Sequence, residues 1–293
     1  MKVIWGNEIV ERDKVTIDFE DRGYQFGDGI YEVISFYNQA YFCMDEHIDR
    51  LFSNAKKIEM RVPLTKERLR TLSLDLLRES GIHDGYIYLQ LTRGNASPRN
   101  HTYPSQDIVP LLTGSIIGAE RNTEKIYQGI KTTLEEDIRW LRCDIKMISL
   151  LGNIMLKHEA HKKNADEAIL HREGIVTECS SSNVAIVKNG AIYTHPDGNL
   201  ILPGITKVIW KACATKLNIP VYEEPFTTED LLNADEVFCS STTKEVMRIR
   251  QVDEKLFEKP EIGSVIQSLQ ACYEKEVEEQ CGDLSNESEH FSH

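Results

Sequence analysis

From Ile145 to Met155 the chain reads IKMISLLGNIM, and no other stretch limits the fold as tightly. Met147, Leu150, Leu151, Ile154 and Met155 recur at i, i+3, i+4, i+7 and i+8, the spacing of one apolar helix face. A core helix is therefore predicted to begin just after Lys146. Ile145 and Met147 flank that lysine, and Arg139 and Arg142 lie close in sequence. Burial and nearby positive charge both disfavour an ammonium, and so favour a nucleophilic amine. The ordinary alternative is a lysine that buries its stem and keeps its head in water.

A core helix of this kind needs a sizeable fold around it, and 293 residues suit two domains of ordinary size. With 41% hydrophobic and 28% charged residues, the composition is that of a soluble globular protein. A net charge of -13 argues against nucleic-acid partners, which require clustered Lys and Arg. MKVIWGNEIVERD lacks the long apolar run of a signal peptide, and no segment has the ~18 apolar residues of a membrane span, so a cytoplasmic protein without a membrane partner is expected. The seven cysteines include no Cys-x-x-Cys pair, which points to reduced thiols rather than a disulfide framework or a zinc ribbon.

Alternation and turn residues predict a strand-rich opening over residues 2–45, then amphipathic helices from Asp45 to Met60 and from Thr65 to Glu79. Strands follow at GYIYLQLTRG and IVPLLTGSIIGA. A polar stretch near Arg121–Gln128 marks a linker, giving domains over 1–120 and 121–280 and a polar, frayed tail over 281–293. In the second domain, strands are expected at GIKTTLEEDI, EAILHR, IVTE, NVAIV, AIYTH, PVYEEPF and DEVFCSS. Helices are expected after Lys146, at ITKVIWKACATKLN, at Glu229–Asn233 and near Ser264–Glu279. The overall class is α/β (α+β).

Two places suit an anion. Pro203-Gly204-Ile205-Thr206 leads into a helix, where free amides, a glycine and a hydroxyl converge at a positive helix end. Ser240-Ser241-Thr242-Thr243 follows a strand, and Thr242 with Glu245 fits a capping box. Arg50 could add a bidentate contact. Glu178 precedes Cys179, Ser180, Ser181, Ser182 and Asn183, a setting for a carboxylate held by local hydrogen bonds. Arg99 and His101, two apart, could grip a carboxylate from one side of an extended segment. Gly23, Gly27 and Gly29 have neither dinucleotide nor Walker spacing and serve turns. His158, Glu159 and His161 lack zinc spacing and a third ligand, so no metal site is expected.

In order, DRGYQFGDGIYEV (21–33), EHIDRL (46–51), the TRG…SPR-x-H loop (92–101), EDIRWLRCDIK (136–146), EAILHR…VTE-x-SSSNV (167–184), YTHP…IL-x-GIT (193–206) and STT-x-E (241–245) resemble the class IV, or fold type IV, pyridoxal-phosphate aminotransferases. Within that family the likeness is to bacterial D-amino-acid aminotransferases. It implies two α/β domains with the cofactor, pyridoxal 5'-phosphate, at their interface, and Lys146 as the residue that takes its aldehyde. Glu178 would face the pyridine nitrogen, Leu202 would lie against the ring, and Arg50, Ile205, Thr206, Ser241 and Thr242 would hold the phosphate. Tyr31, Arg99 and His101 match a substrate-carboxylate trap, the last two reaching in from the partner of a homodimer. The implied reaction moves the amino group of a D-amino acid such as D-alanine to 2-oxoglutarate, giving pyruvate and D-glutamate.

Departures are Cys179, where glycine is usual, Lys207, where arginine is common, and one extra residue in TRGNASPRNH. Within the family the rivals are a branched-chain L-amino-acid aminotransferase and an aminodeoxychorismate lyase. Outside it they are a cofactor-free lysine aldolase and a non-catalytic pyridoxal-phosphate binder.

Overall fold

A computed structural model of the chain describes residues 1–258 and 264–284, so residues 285–293 of the expected tail lie outside the described residues. Two compact units are present. The first comprises Met1–Arg121, Ile145–Ser149 and the chain from Val277; the second comprises Asn122–Asp144 and Leu150–Glu276. Among the described residues no helix is long and apolar enough to cross a membrane.

In the first unit, strands β1 (Lys2–Trp5), β2 (Glu8–Glu11), β3 (Gly29–Tyr37), β4 (Ala40–Tyr41), β5 (Gly85–Thr92) and β6 (Leu111–Gly118) form an antiparallel sheet in the order β2-β1-β6-β5-β3-β4. Helices α2 (Met44–Lys57) and α3 (Lys66–Ser80) cover one face, and a short α1 (Arg22–Phe26) precedes β3. Alternation sets the layers. Ile87, Leu89 and Leu91 of β5 point into a core with Ile48, Leu51 and Ala55 of α2 and Leu69, Leu72 and Leu76 of α3, while Tyr86, Tyr88 and Gln90 point the other way. Asp45 and Glu46 begin α2 and Lys56 and Lys57 end it, each sign matching the helix dipole. Thr65 caps α3, accepting from the Arg68 N–H at 3.2 Å, and Gly81 (φ 65) ends it.

The second unit holds α4 (Thr123–Gln128), β7 (Ile130–Glu136), α5 (Leu151–Lys162), β8 (Glu167–Arg172), β9 (Ile175–Cys179), β10 (Asn183–Lys188), β11 (Ala191–Thr194), α6 (Ile205–Lys216), β12 (Val221–Glu223), α7 (Thr228–Leu232), β13 (Glu236–Ser241), β14 (Glu245–Val252) and β15 (Lys255–Leu256). A final α8 (Val265–Cys281) begins here and ends in the first unit. The mixed sheet runs β12-β11-β10-β13-β14-β7-β8-β9, with β15 on β14. Strands β8, β10 and β13 are buried on both faces over most of their length, as the continuous apolar runs of β8 and β10 foretell.

Several expectations are corrected. The stretch read as a linker contains α4, capped by Asn122, whose Oδ1 accepts from the Lys125 N–H at 2.8 Å. Thr242 and Glu245 do not cap a helix, because Ser241 pairs with Glu245 across a hairpin into β14, a strand the sequence reading missed. Glu245 sits at φ 54 and its neighbours pair on, so the backbone there cannot open a helix. The start of the tail is tied down, for the Asn38 amide donates to the carbonyls of Cys281 and Asp283 at 3.2 and 3.0 Å.

The largest correction concerns Lys146. No helix starts beside it: α5 begins at Leu151, and residues 145–149 lie alongside the start of β3, with Met147 bridging Ile30. The face expected to be core is open, with Leu151 70%, Ile154 60% and Met155 51% exposed, and α5 packs instead through Leu156 and Ala160. The apolar spacing is real, but its first member was claimed by the sheet edge and its middle faces outward.

Candidate active site

In the first unit, backbone pairing of residues 145–149 with β3 places Lys146. The Tyr31 N–H donates to the Lys146 carbonyl at 2.9 Å, and the Ile148 N–H donates to the Gly29 carbonyl at 3.1 Å. The Lys146 Nζ lies 4.2 Å from the centroid of the Tyr31 ring, which stands 5.6 Å from the Tyr88 ring on the sheet face away from the helices. Arg139 and Arg142, expected to crowd this amine with charge, belong to the second unit and are engaged by carboxylates, Arg142 by Asp144 at 3.0 Å.

On the helix side of β3 lies a carboxylate the sequence reading passed over. Glu32 is fully buried, and its oxygens accept from Arg50 Nε at 2.7 Å, Arg50 Nη2 at 2.9 Å and His47 Nδ1 at 2.9 Å. Burial would raise its pKa, yet Arg50 and then His47 bring it down to about 2. Burial lowers the pKa of His47 despite Glu32, so the imidazole donates as a neutral ring. The signal was available: an acid at an inward position of GIYEVISFY, with His47 and Arg50 three apart on one helix face.

Arg99 and His101 sit in an exposed loop and share one anchor. The Arg99 guanidinium lies 4.2 Å from the Phe26 ring centroid, the His101 ring stands 5.5 Å from it, and the Arg22 guanidinium 4.7 Å. Arg22 fixes the loop, donating to the Asn100 carbonyl at 2.6 Å while Asp28 holds it at 2.8 Å.

The second unit presents a buried carboxylate. Glu178, 4% exposed at the end of β9, accepts from Arg139 Nη1 at 2.6 Å, Asn183 Nδ2 at 3.1 Å and the Leu202 N–H at 3.1 Å. The serines that follow it, expected to supply its hydrogen bonds, instead serve Glu167 through the hydroxyls of Ser180 and Ser181. Burial pushes the Glu178 carboxyl above its ordinary pKa, and Arg139 offsets that only in part. Arg139 is itself held by Asp137 at 2.9 Å.

Asn183 ties Glu178 to the start of α6. It also donates to the Leu202 carbonyl at 2.8 Å, and a Cβ at Gly204 would fall 2.1 Å from its Oδ1. Gly204 is the N-cap of α6 without any capping side chain, so the amides of Ile205 and Thr206 and the buried Thr206 hydroxyl open the helix toward an anion. Ser241 ends β13 and Thr242 begins the turn after it; Trp210 of α6 donates to Ser240 Oγ at 3.1 Å, which fixes α6 against β13. Lys207 does not add charge to the helix start: 1% exposed, it is spent on the His195 carbonyl, Asp197 and Glu223 at 2.9, 2.9 and 3.0 Å. Cys179, the other departure, is buried.

His158, Glu159 and His161 are exposed. Among the described residues, Cys213, Cys272 and Glu276 bring possible metal ligands within 4.8 Å of one another, but Lys216 occupies the carboxylate of Glu276.

The chain is similar to the D-alanine aminotransferase of Listeria monocytogenes, 48% identical over 287 residues that cover 97% of this chain and 99% of that protein. It is 44% identical to that of Staphylococcus epidermidis over 94% of this chain and 98% of that protein. In fold it is similar to the branched-chain aminotransferase of the archaeon Thermoproteus uzoniensis, with a TM-score of 0.84 and 26% identity over 96% of this chain and 95% of that one. The profile of the amino-transferase class IV family matches residues 29–252, a span that takes in β3 with Tyr31, the Lys146 segment, Glu178 and the start of α6. With that profile over most of its length and relatives this close end to end, the chain belongs to the class IV amino-transferases.

Proposed function

We infer that the chain is a pyridoxal 5'-phosphate-dependent transaminase that transfers the amino group of a D-amino acid, D-alanine, to 2-oxoglutarate, giving pyruvate and D-glutamate. The observation that carries this reading is the end-to-end identity of 48% and 44% with D-alanine aminotransferases. The residues present fit the cofactor. An aldehyde needs an amine, which Lys146 presents over Tyr31. A phosphate needs unclaimed donors at a positive helix end, which Gly204, Ile205 and Thr206 supply. A pyridine nitrogen that is to stay protonated needs an ionised carboxylate fixed in place, and the donors Arg139, Asn183 and the Leu202 N–H hold Glu178 as one against its burial.

When bound, the cofactor contributes an aldehyde that takes up the amino group and a ring that stores the electron pair left at the substrate Cα. Lys146 would hold the aldehyde and, when free, would take the substrate Cα proton as general base and return it as general acid. Glu178 would hold positive charge on the ring nitrogen, Leu202 would lie against the ring, and Ile205, Thr206, Ser241 and Thr242 would hold the phosphate. Arg50, locked in place by Glu32, adds a guanidinium to that grip. Tyr31, Arg99 and His101 hold the substrate carboxylate. Purified protein should show a visible cofactor band that D-alanine bleaches and L-alanine does not. A colourless protein, or a band that only L-amino acids bleach, rejects the reading. Glu178→Gln, which removes the charge but keeps the shape, should slow both half-reactions by roughly tenfold or more, one pKa unit being about 1.4 kcal/mol. Unchanged single-turnover rates would make the carboxylate structural.

The same reading makes the chain a homodimer in the cytoplasm, with Arg99 and His101 serving the partner's site. Seven cysteines, all free thiols, suit a reducing compartment. For the dimer, the support is an open apolar face on the second unit: Ile138 (55% exposed), Trp140 and Leu141 lie on the segment that contacts Gly152 through Arg139, next to Leu151, Ile154 and Met155. So many large apolar side chains on neighbouring segments mark a contact surface. Ile154→Glu should shift sedimentation from dimer to monomer and lower D-alanine turnover with it; a parent that sediments as a monomer overturns the dimer.

A further inference from the structure

Two connections of the second unit converge on one carboxylate that the proposed chemistry does not use. Glu167, 0% exposed at the start of β8, accepts from the hydroxyls of Ser180 and of Ser181, the latter at 2.6 Å, and is ion-paired with Lys244. The Lys157 ammonium lies 3.4 Å away. Lys244 also reaches Ser181 Oγ at 3.2 Å and Ser182 Oγ at 3.4 Å. Lys244 closes the turn from β13 to β14, its N–H donating to the Ser241 carbonyl at 3.1 Å. The turn is held on its other side by Gln270, which accepts from the Val246 N–H at 3.0 Å and donates to Glu245 at 2.6 Å.

We propose that the Glu167–Lys244 pair is the positioning device of the phosphate seat: it clamps the turn that carries Ser241 and Thr242, and locks it to the loop 180–182. The proposal rests on the reading that those two residues bind the cofactor phosphate. A hairpin turn free to rock would present its hydroxyls and amides in many orientations, and a buried ion pair with every oxygen engaged leaves it one. Burial would push Glu167 toward its neutral form; Lys244 and Lys157 instead hold it ionised, at about 2. Lys244 in turn has its charge spent on Glu167 and is not itself a phosphate ligand.

The experiment compares the affinity of cofactor-free full-length protein for pyridoxal 5'-phosphate and for pyridoxal, which has the same aldehyde and ring but no phosphate. Inorganic phosphate is titrated as a third probe. Glu167→Gln and Lys244→Met should each weaken pyridoxal 5'-phosphate and inorganic phosphate roughly tenfold or more, with pyridoxal affected about twofold at most, and Lys244→Arg should restore most of the loss. Ser181→Ala, a milder change, should move the same ratio in the same direction and keeps the test open if the charged variants fold poorly. Equal weakening of both aldehydes, or no change in either, overturns the proposal. So does tighter phosphate binding by Glu167→Gln, since freeing Lys244 would help only if it were a direct ligand. A parent that binds neither aldehyde defeats the functional reading itself, and that result is visible before any variant is made.

Discussion

Lys146→Ala is expected to lose multiple turnover of D-alanine by about 10⁴-fold or more, since under the proposed mechanism it removes both the amine that would take the aldehyde and the group that would move the Cα proton. The fold should survive. Lys146 is placed by its backbone, whose carbonyl accepts from the Tyr31 N–H, while Ile145 and Met147 on either side supply the packing. Truncation at Cβ therefore forfeits the contact over the Tyr31 ring and little else. The cofactor should still bind through its phosphate, with a visible band shifted toward that of the free aldehyde. Stopped-flow absorbance with D-alanine reads turnover, band and binding in one assay. Turnover near the parent rate would remove Lys146 from the chemistry.

Arg99→Ala is expected to cut kcat/KM for D-alanine roughly ten- to hundredfold with the cofactor band intact, because a substrate carboxylate then loses a charge-assisted partner, a loss of about 1.5–3 kcal/mol. His101→Ala should act in the same direction and less strongly. Configuration is the sharper readout. If the carboxylate is held on one side, only one isomer turns its Cα hydrogen toward Lys146, so the parent should prefer D- over L-alanine and Arg99→Ala should erode that preference. The shared Phe26 ring gives a further check: the two single variants should not add, because both side chains rest on one anchor. Unchanged D-alanine kinetics in both variants would place the clamp elsewhere.

What could be read from the residues alone followed local rules. The extents of α2, α3 and α6 follow from apolar periodicity and end residues, and the hairpin from β10 to β11 from Asn189-Gly190. Misreadings came where distant partners overrode a local pattern. Residues 145–149 have helical spacing yet pair with β3, since an open strand edge offers hydrogen bonds that a helix start cannot. The strand β14 was hidden because Thr242-x-x-Glu245 mimics a capping box, and because a strand buried on both faces shows no alternation; its Arg248 is buried against the carbonyls of Gln128, Phe257 and Glu258.

The site divides along the same line. Lys146, Glu178 and the Gly204-Ile205-Thr206 turn are proposed from their neighbours in the chain, and of those local cues only the glycine-opened start of α6 is present as expected. Their supports cannot be: Arg139 reaches Glu178 across 39 positions and Lys244 reaches Glu167 across 77. No local pattern encodes a contact of that separation. The serines after Glu178 show the trap, for their neighbour in sequence is Glu178 while their hydroxyls belong to Glu167.

The pairing of residues 145–149 with β3 also sets an order of events during synthesis. The first unit begins at Met1 but is not complete at Arg121, since one piece arrives at Ile145 and another at Val277. Until then the Gly29–Tyr31 end of β3 has β5 on one side and nothing on the other, because β4 pairs only with Phe36 and Tyr37. Such an open edge on a nascent chain is a place where a second chain can add. The segment that fills it is the one that carries Lys146, so that stretch of the β3 edge stays open until Lys146 has been synthesised. Covering that edge and placing the Lys146 backbone are then one step, and a chain stopped short of Ile145 would have neither.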